Sequence, residues 1–346
     1  MTLQQDEQAR ALPILDLSDF DSADAAARDG FLAALRHAAR DVGFFYLRGH
    51  GIDLALGQSI QSAARRFFAL PEADKLALEM ANSAHFRGYT RAGDELTRGR
   101  RDWREQFDIG AERPVIAQQA GLPAWTRLQG PNQWPDALPD LKPALLRWQR
   151  ELTGVAIRVL QAFAVALAQP ADAFEAIYGA TPNEHIKLIR YPGREATGDD
   201  QGVGPHKDSG FLSFLLQDEQ GGLQVAADDG GWIDATPLPG TFVVNIGELL
   251  ELATNGYLRA TVHRVVTPPA GRDRLSIAFF LGARLDATVP LLTLPPGLAA
   301  QARGPASDPD NPLFHEVGPN YLKGRLRSHP DVARRHYADV LAAQAA

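Results

Sequence analysis

Between about residues 184 and 285 the chain passes through seven short apolar runs, "HIKLIRYP", "FLSFLLQD", "GLQVAA", "GWIDATPL", "TFVVNIG", "TVHRVVTP" and "RLSIAFFLG". Turns rich in Gly, Pro and Asp divide them. Repeated short strands with such turn signals predict a jelly roll or barrel. Ahead of them, "KPALLRWQRELTGVAIRVLQAFAVAL" repeats Leu145, Leu152, Val155, Val159, Leu160, Phe163 and Leu167 at near-helical spacing. One long helix with a buried stripe follows, placed to brace a sheet.

The first third reads as α/β. "LPILDL" at 12–17 is a short strand, and Ser22 is the expected cap of a helix through "ADAAARDGFLAALRHAARDV". Gly43 permits the left-handed turn that ends it. A strand then starts at Phe44, a helix covers about Ala55 to Ala69, and another reaches about Met80. Residues 82–141 carry little periodicity and read as loop with short strands. Residues 286–319 are polar and proline-rich, which predicts an extended surface wrap, and "HPDVARRHYADVLAAQ" makes a terminal helix. We divide the chain into an N-terminal α/β region (1–130), a bracing helix (131–180), a jelly-roll core (181–285) and a C-terminal wrap and helix (286–346). Together they form one unit of α+β class, with a jelly-roll core flanked by N-terminal and central helices.

Composition narrows the chemistry. Of 346 residues, 45% are apolar and 22% charged, as in a globular protein. The net charge of −7 offers no attraction to phosphate backbones or anionic lipid, so neither nucleic acid nor membrane is an expected partner. There is no cysteine, which excludes disulfides, thiolate ligands and iron–sulfur clusters. Any metal must take His, Asp or Glu. The polar, acidic start "MTLQQDEQAR" is unlike a signal peptide, and we expect a cytoplasmic protein.

"GPHKDSGFLSFLLQD" puts His206 and Asp208 two positions apart at the start of a predicted strand, where both side chains face one side. His263 lies on another predicted strand. Two histidines and one carboxylate form the ligand set of a facial triad, which leaves three positions of an octahedral Fe(II) open. A bare H-x-D is by itself commonplace. Further on, "RLSIAFF" projects Arg274 and Ser276 to one side, a cation and a hydroxyl suited to clamp a carboxylate.

H-x-D, a distant His, then R-x-S resembles the non-haem Fe(II)- and 2-oxoglutarate-dependent dioxygenases, specifically the isopenicillin N synthase-like branch and its bacterial members. "PILDL", "GFFYLRGHGI", "FFALP", "RGY", "LIRYP" and "VNIGELLELATNGYLRATVHRV" follow in the family's order. The resemblance implies a double-stranded β-helix core with iron on His206, Asp208 and His263. It also implies 2-oxoglutarate held by Arg274, Ser276 and Tyr191, with O2 as co-substrate and ascorbate as a reductant. The implied activity is hydroxylation, desaturation or cyclisation of a small-molecule substrate, with release of succinate and CO2. Plant relatives carry Asn two positions before the tyrosine, where this chain has Ile189. The stretch "FRGYTRAGDELTRGRRDWREQFDIG" is similar to a substrate-side segment of bacterial relatives, which makes Arg87, Tyr89, Asp94 and Glu95 substrate candidates. Lys187 and Arg190 alternate in facing, so one of them points inward. Phe211 and Phe279 either line the cavity or pack behind it.

Other readings stay open at this level. They are an oxidase of the same fold that does not use 2-oxoglutarate, an ethylene-forming variant, a jelly roll that only binds a small molecule, and a zinc hydrolase on the same three ligands. Asn245 and Gly247 most simply serve a turn, and "RGRRDWRE" a solvated face. The loop "GREATGDDQGVG" reads as a surface connection rather than a lid. His50, His85, His185 and His315 read as structural or solvated.

Overall fold

Gly43 ends the first long helix and releases the chain into the sheet. Its N–H closes on the Ala38 carbonyl at 2.9 Å with φ at +75°, and a Cβ there would meet the Arg259 carbonyl at 2.3 Å. The computed structural model describes residues 11–195, 200–306, 308 and 311–345. Residues 196–199 of the polar loop lie outside them, as do Met1 to Arg10.

The helix that Gly43 terminates spans Ala25–Asp41. Its cap is Asp24, whose Oδ1 accepts from the Ala26 N–H at 2.9 Å. Ser22, the expected cap, instead accepts from the Asp24 N–H, because the helix starts two residues later. Asp53 caps Leu54–Phe68 in the same manner. The long helix Leu141–Ala166 buries the predicted stripe against both of these helices and the large sheet. Each fully buried Leu or Phe in that stripe contributes about 1.5–3 kcal/mol. Among the described residues no helix is long and apolar enough to cross a membrane.

The strands are β1 (Ile14–Asp16), β2 (Phe44–Arg48), β3 (Gly88–Thr90), β4 (Leu96–Thr97), β5 (Arg100–Arg101), β6 (Glu105–Gly110) and β7 (Asn183–Tyr191). They continue with β8 (Gln201–His206), β9 (Leu212–Gln217), β10 (Leu223–Ala226), β11 (Trp232–Asp234), β12 (Phe242–Ile246), β13 (His263–Val266) and β14 (Arg274–Gly282). Eight form one sheet in the order β1-β2-β12-β9-β14-β7-β6-β3. Four form a smaller facing sheet, β11-β10-β13-β8, and β4 pairs with β5.

Residues 82–141 are mostly loop with short strands, as expected, and one of these strands, β6, is a fully buried member of the large sheet. Two expectations change here. Asp208 is not on a strand: His206 ends β8, and Asp208 lies in the connection to β9, where Ser209 and Gly210 turn the chain. The C-terminal wrap stops early, because the helix Val317–Ser328 follows it, ahead of Pro330–His336 and Ala338–Ala345.

Parity along each strand sorts the side chains. On the large sheet, Phe107, Ile109, Ile186, Leu188, Phe214, Val244, Ile277 and Phe279 face the helices in one core. Their neighbours face the small sheet, where Ile189, Tyr191, Val203, Val225, Val243, Val265 and Ala278 form a second core. The polar side chains described next share that inner face.

Candidate active site

His206 and His263 are register partners across β8 and β13, with ring centroids 4.2 Å apart. Each ring is fixed from behind: His206 Nδ1–H donates to the Gly204 carbonyl at 2.8 Å, and His263 Nδ1–H to the Thr261 carbonyl at 3.2 Å. Both Nε2 lone pairs are thereby left toward Asp208, whose Oδ1 lies 3.6 Å from one and 3.7 Å from the other. The second carboxylate oxygen is already used, since Ser213 Oγ donates to Oδ2 at 2.5 Å and Asn245 Nδ2 at 2.8 Å. Asn245 is thus more than a turn residue, and Gly247 lets the turn pass, because a Cβ there would meet the Gly210 carbonyl at 2.1 Å.

The electrostatics agree with a cation site. Burial pushes His263 down to about 4, helped by the adjacent His206. Burial opposes the charge on Asp208, yet the attraction of the two histidines in their charged forms and the Ser213 hydroxyl outweigh it and hold the carboxyl well below its usual range. Burial likewise opposes the charge on His206, which Asp208 nevertheless raises above the ordinary histidine value. One donor atom from each of the three residues lies within 4.8 Å of the others. Two imidazole lone pairs and one carboxylate oxygen on one side suit a borderline divalent metal with open positions opposite.

Arg274 sits on the inner face of β14 and is 0% exposed. Nη1 donates to Ser276 Oγ at 3.1 Å and Nη2 to Gln217 Oε1 at 2.9 Å, while Nε is buried without a partner among the described residues. The guanidinium carbon lies 5.0 Å from the centre of the Tyr191 ring. Asp218 gives its Oδ2 to the Leu275 N–H, and among the described residues no carboxylate pairs with Arg274. A buried cation left in this state fits an incoming anion.

A cavity of about 740 Å³ opens beside His206 and Asp208. Glu95 and Lys187 line it, 2.9 Å apart. The other substrate-side candidates lie elsewhere. Arg87 is buried against the carbonyls of His85 and Phe86. Tyr89 donates to Glu105 on the helix face, Asp94 is exposed beside Arg101, and Arg190 turns outward to Glu105 and Asp273. Phe279 belongs to the helix-side core by parity, and Phe211, just ahead of β9, packs in the same core. A larger hollow of about 920 Å³ lies along the helix Leu54–Phe68, and His206, Asp208 and His263 do not line it.

Sequence reasoning missed a buried network behind the cavity. Asp102 and Arg104, read as part of a solvated run, are buried, and Arg104 Nη2 donates to Glu95 Oε2 at 2.6 Å. Asp108 accepts from His185 at 2.7 Å and from Arg325 of the helix Val317–Ser328 at 3.3 Å. The one available signal was strand parity: Arg104, Gln106 and Asp108 alternate with Glu105, Phe107 and Ile109.

A double-stranded β-helix that brings two histidines and a carboxylate to one point, with a buried arginine on the same inner face, defines a non-haem iron oxygenase. Residues 182–283 match the family model of the 2OG-Fe(II) oxygenase superfamily. Residues 12–137 match the model described as "non-haem dioxygenase in morphine synthesis N-terminal". A 2-oxoglutarate-dependent dioxygenase, frbJ, of Dothideomycetidae sp. is 36% identical over 96% of this chain and 94% of its own length. A homoarginine-6-hydroxylase of Arabidopsis thaliana is 35% identical over 81% of this chain and 87% of its own. The crystal structure of a full-length Neurospora crassa protein in complex with alpha-KG and 5-formyluracil superposes with a TM-score of 0.73 at 27% identity, covering 91% of this chain and 96% of that one. The chain belongs to the 2OG-Fe(II) oxygenase superfamily, and is an oxidoreductase that uses Fe(II), 2-oxoglutarate and O2.

Proposed function

We propose that His206, Asp208 and His263 hold the Fe(II), and that Arg274 with Ser276 takes the far carboxylate of 2-oxoglutarate while Tyr191 packs against the guanidinium. Residues 181–285 are the catalytic core in this reading, and 1–130, 131–180 and 286–346 enclose it. The observation that carries the reading is Arg274, a buried cation without a carboxylate partner among the described residues. Its reach supports it further. Arg274 Cδ lies 3.6 Å from where a Cβ on Gly222 would stand, and the Tyr191 ring 3.0 Å from one on Gly202. Gly202 lies on the same strand as His206, so an extended diacid gripped at one end by a metal and at the other by the guanidinium would run along the inner face of β8.

The metal and keto acid, when bound, supply the activation of O2; the protein's part is placement. The carbonyls of Gly204 and Thr261 keep both imidazoles in the ligating tautomer, and Asn245 and Ser213 keep one oxygen of Asp208 turned to the metal. The apolar inner core excludes water from the diacid. On the cavity side, Glu95 and Lys187 offer an acid and a base to a polar small molecule. The relationship to homoarginine-6-hydroxylases supports an amino-acid-like substrate that is hydroxylated.

Anaerobic titration of the Fe(II) protein with 2-oxoglutarate tests the reading. A visible charge-transfer band is expected, with affinity reduced in Arg274→Gln by the roughly 2–5 kcal/mol typical of a lost buried charge partner. No band at saturating 2-oxoglutarate would refute it. Succinate release with L-homoarginine and other basic amino acids tests the substrate class.

A further inference from the structure

Ile189 lies on the inner face of β7 and lines the cavity together with His206 and Asp208. It has no polar group, so β7 offers no hydrogen bond at that point to a molecule on the metal. Its register partner is Gln106 of β6, and two residues before Gln106, on the same face, comes Arg104. Arg104 lines the same cavity and is 8% exposed. A short chain of bonds links it to the metal ligands. Asp102 Oδ2 lies 3.4 Å from Arg104 Nη2, Asp102 Oδ1 accepts from the Gly204 N–H at 3.1 Å, and the Gly204 carbonyl accepts from His206 Nδ1.

The guanidinium is only half used. Nη2 serves both acids, whereas Nε is buried with no partner and Nη1 has no hydrogen-bond partner among the described residues. Its two acids are also shared out. Glu95 answers to Lys187 at 2.9 Å and lies 3.4 Å from His329, and Asp102 accepts from Thr97, Gln201 and Gly204. Arg104 therefore keeps positive charge and an unused Nη1 group where it lines the cavity beside His206 and Asp208.

We propose that Arg104 donates to the metal-proximal carboxylate of the 2-oxo acid, the end that chelates, and so supplies the contact that Ile189 cannot. This rests on the 2-oxoglutarate reading above, in which Arg274 holds the opposite end. The two arginines thus divide the diacid between them.

The test uses the full chain loaded anaerobically with Fe(II). It measures binding of 2-oxoglutarate and of 2-oxopentanoate, which has the same keto acid end but no far carboxylate, by calorimetry and by the visible band. Arg104→Lys and Arg104→Gln are expected to weaken both acids by the same factor, tenfold or more. Arg274→Gln is expected to weaken 2-oxoglutarate alone. The Lys variant keeps a charge for Glu95 and Asp102, and its melting temperature checks the fold. If a natively melting Arg104→Lys or Arg104→Gln binds both acids like the parent, or loses only 2-oxoglutarate, the assignment is wrong. If Arg274→Gln leaves 2-oxoglutarate binding intact, the underlying reading fails instead.

Discussion

Asn245 holds one oxygen of Asp208 and thereby aims the other. Its amide donates to Oδ2 at 2.8 Å, which leaves Oδ1 facing both imidazoles. Partners of metal ligands typically account for about 10- to 100-fold in metal affinity. Asn245→Ala should weaken Fe(II) binding on that scale in a chelator competition, with the helical circular dichroism unchanged. An affinity equal to the parent's would show that Ser213 alone orients the carboxylate.

Gly247 predicts a steric effect at the same place. A methyl group there would meet the Gly210 carbonyl at 2.1 Å and the Asp208 carbonyl at 3.1 Å, both backbone atoms of the turn that carries Asp208. Gly247→Ala should lower Fe(II) affinity and melting temperature together. Loss of stability with unchanged metal binding would mean that the turn yields without moving Asp208.

Arg325 ties the helix Val317–Ser328 to the sheet through Asp108, which is 0% exposed. Lys187 lies 3.8 Å from the same carboxylate, and its attraction helps hold Asp108 ionised despite burial. Arg325→Met leaves that charge under-compensated, and breaking such buried pairs costs about 3–5 kcal/mol. Urea unfolding should register a loss of this size, and a change under about 1 kcal/mol, the scale of an exposed pair, would place the two groups in effective contact with water.

His185 makes the stability pH-dependent. Burial first, and the charge of Arg325 second, hold its pKa well below the ordinary histidine value, with Asp108 opposing. The folded form therefore stays neutral where the unfolded chain, with a pKa of about 6.5, takes up a proton. More protons bound in the unfolded state means that stability falls as pH falls below that point, by at most about 1.4 kcal/mol per pH unit for one group. His185→Gln should flatten the slope of unfolding free energy between about pH 6.5 and 5 relative to the parent. Parallel slopes would show that the imidazole titrates normally in the fold.

Much of this architecture was legible because the forces that build it are local. The stripe from Leu145 to Leu167 and the apolar runs that became β7, β9, β12 and β14 declare their periods directly. β8 does not, since "QGVGPH" has two glycines, one proline and a single β-branched residue, and it is held in place by β13. The three metal-ligand candidates were found from spacing. The burial of Asp102 and Arg104 could not be, because a charged run reads as solvated until remote Glu95 and Gly204 supply the partners that make burial tolerable. The helix Val317–Ser328 hid for a related reason: Gly318, Pro319 and Gly324 weaken its pattern, and the tertiary contacts of Arg325 help fix it.

The strand order limits how this enzyme could be cut or recombined. β12 lies between β9 and β2, and β7 between β14 and β6, so strands from the N-terminal third seal both flanks of the C-terminal half. A transplanted segment of residues 182–283 would carry two raw borders of unpaired N–H and C=O groups and stick to its neighbours. Gene fusions and truncations must therefore keep the distant halves together, and a shuffled ancestor could have gained this catalytic half only along with the strands that close it.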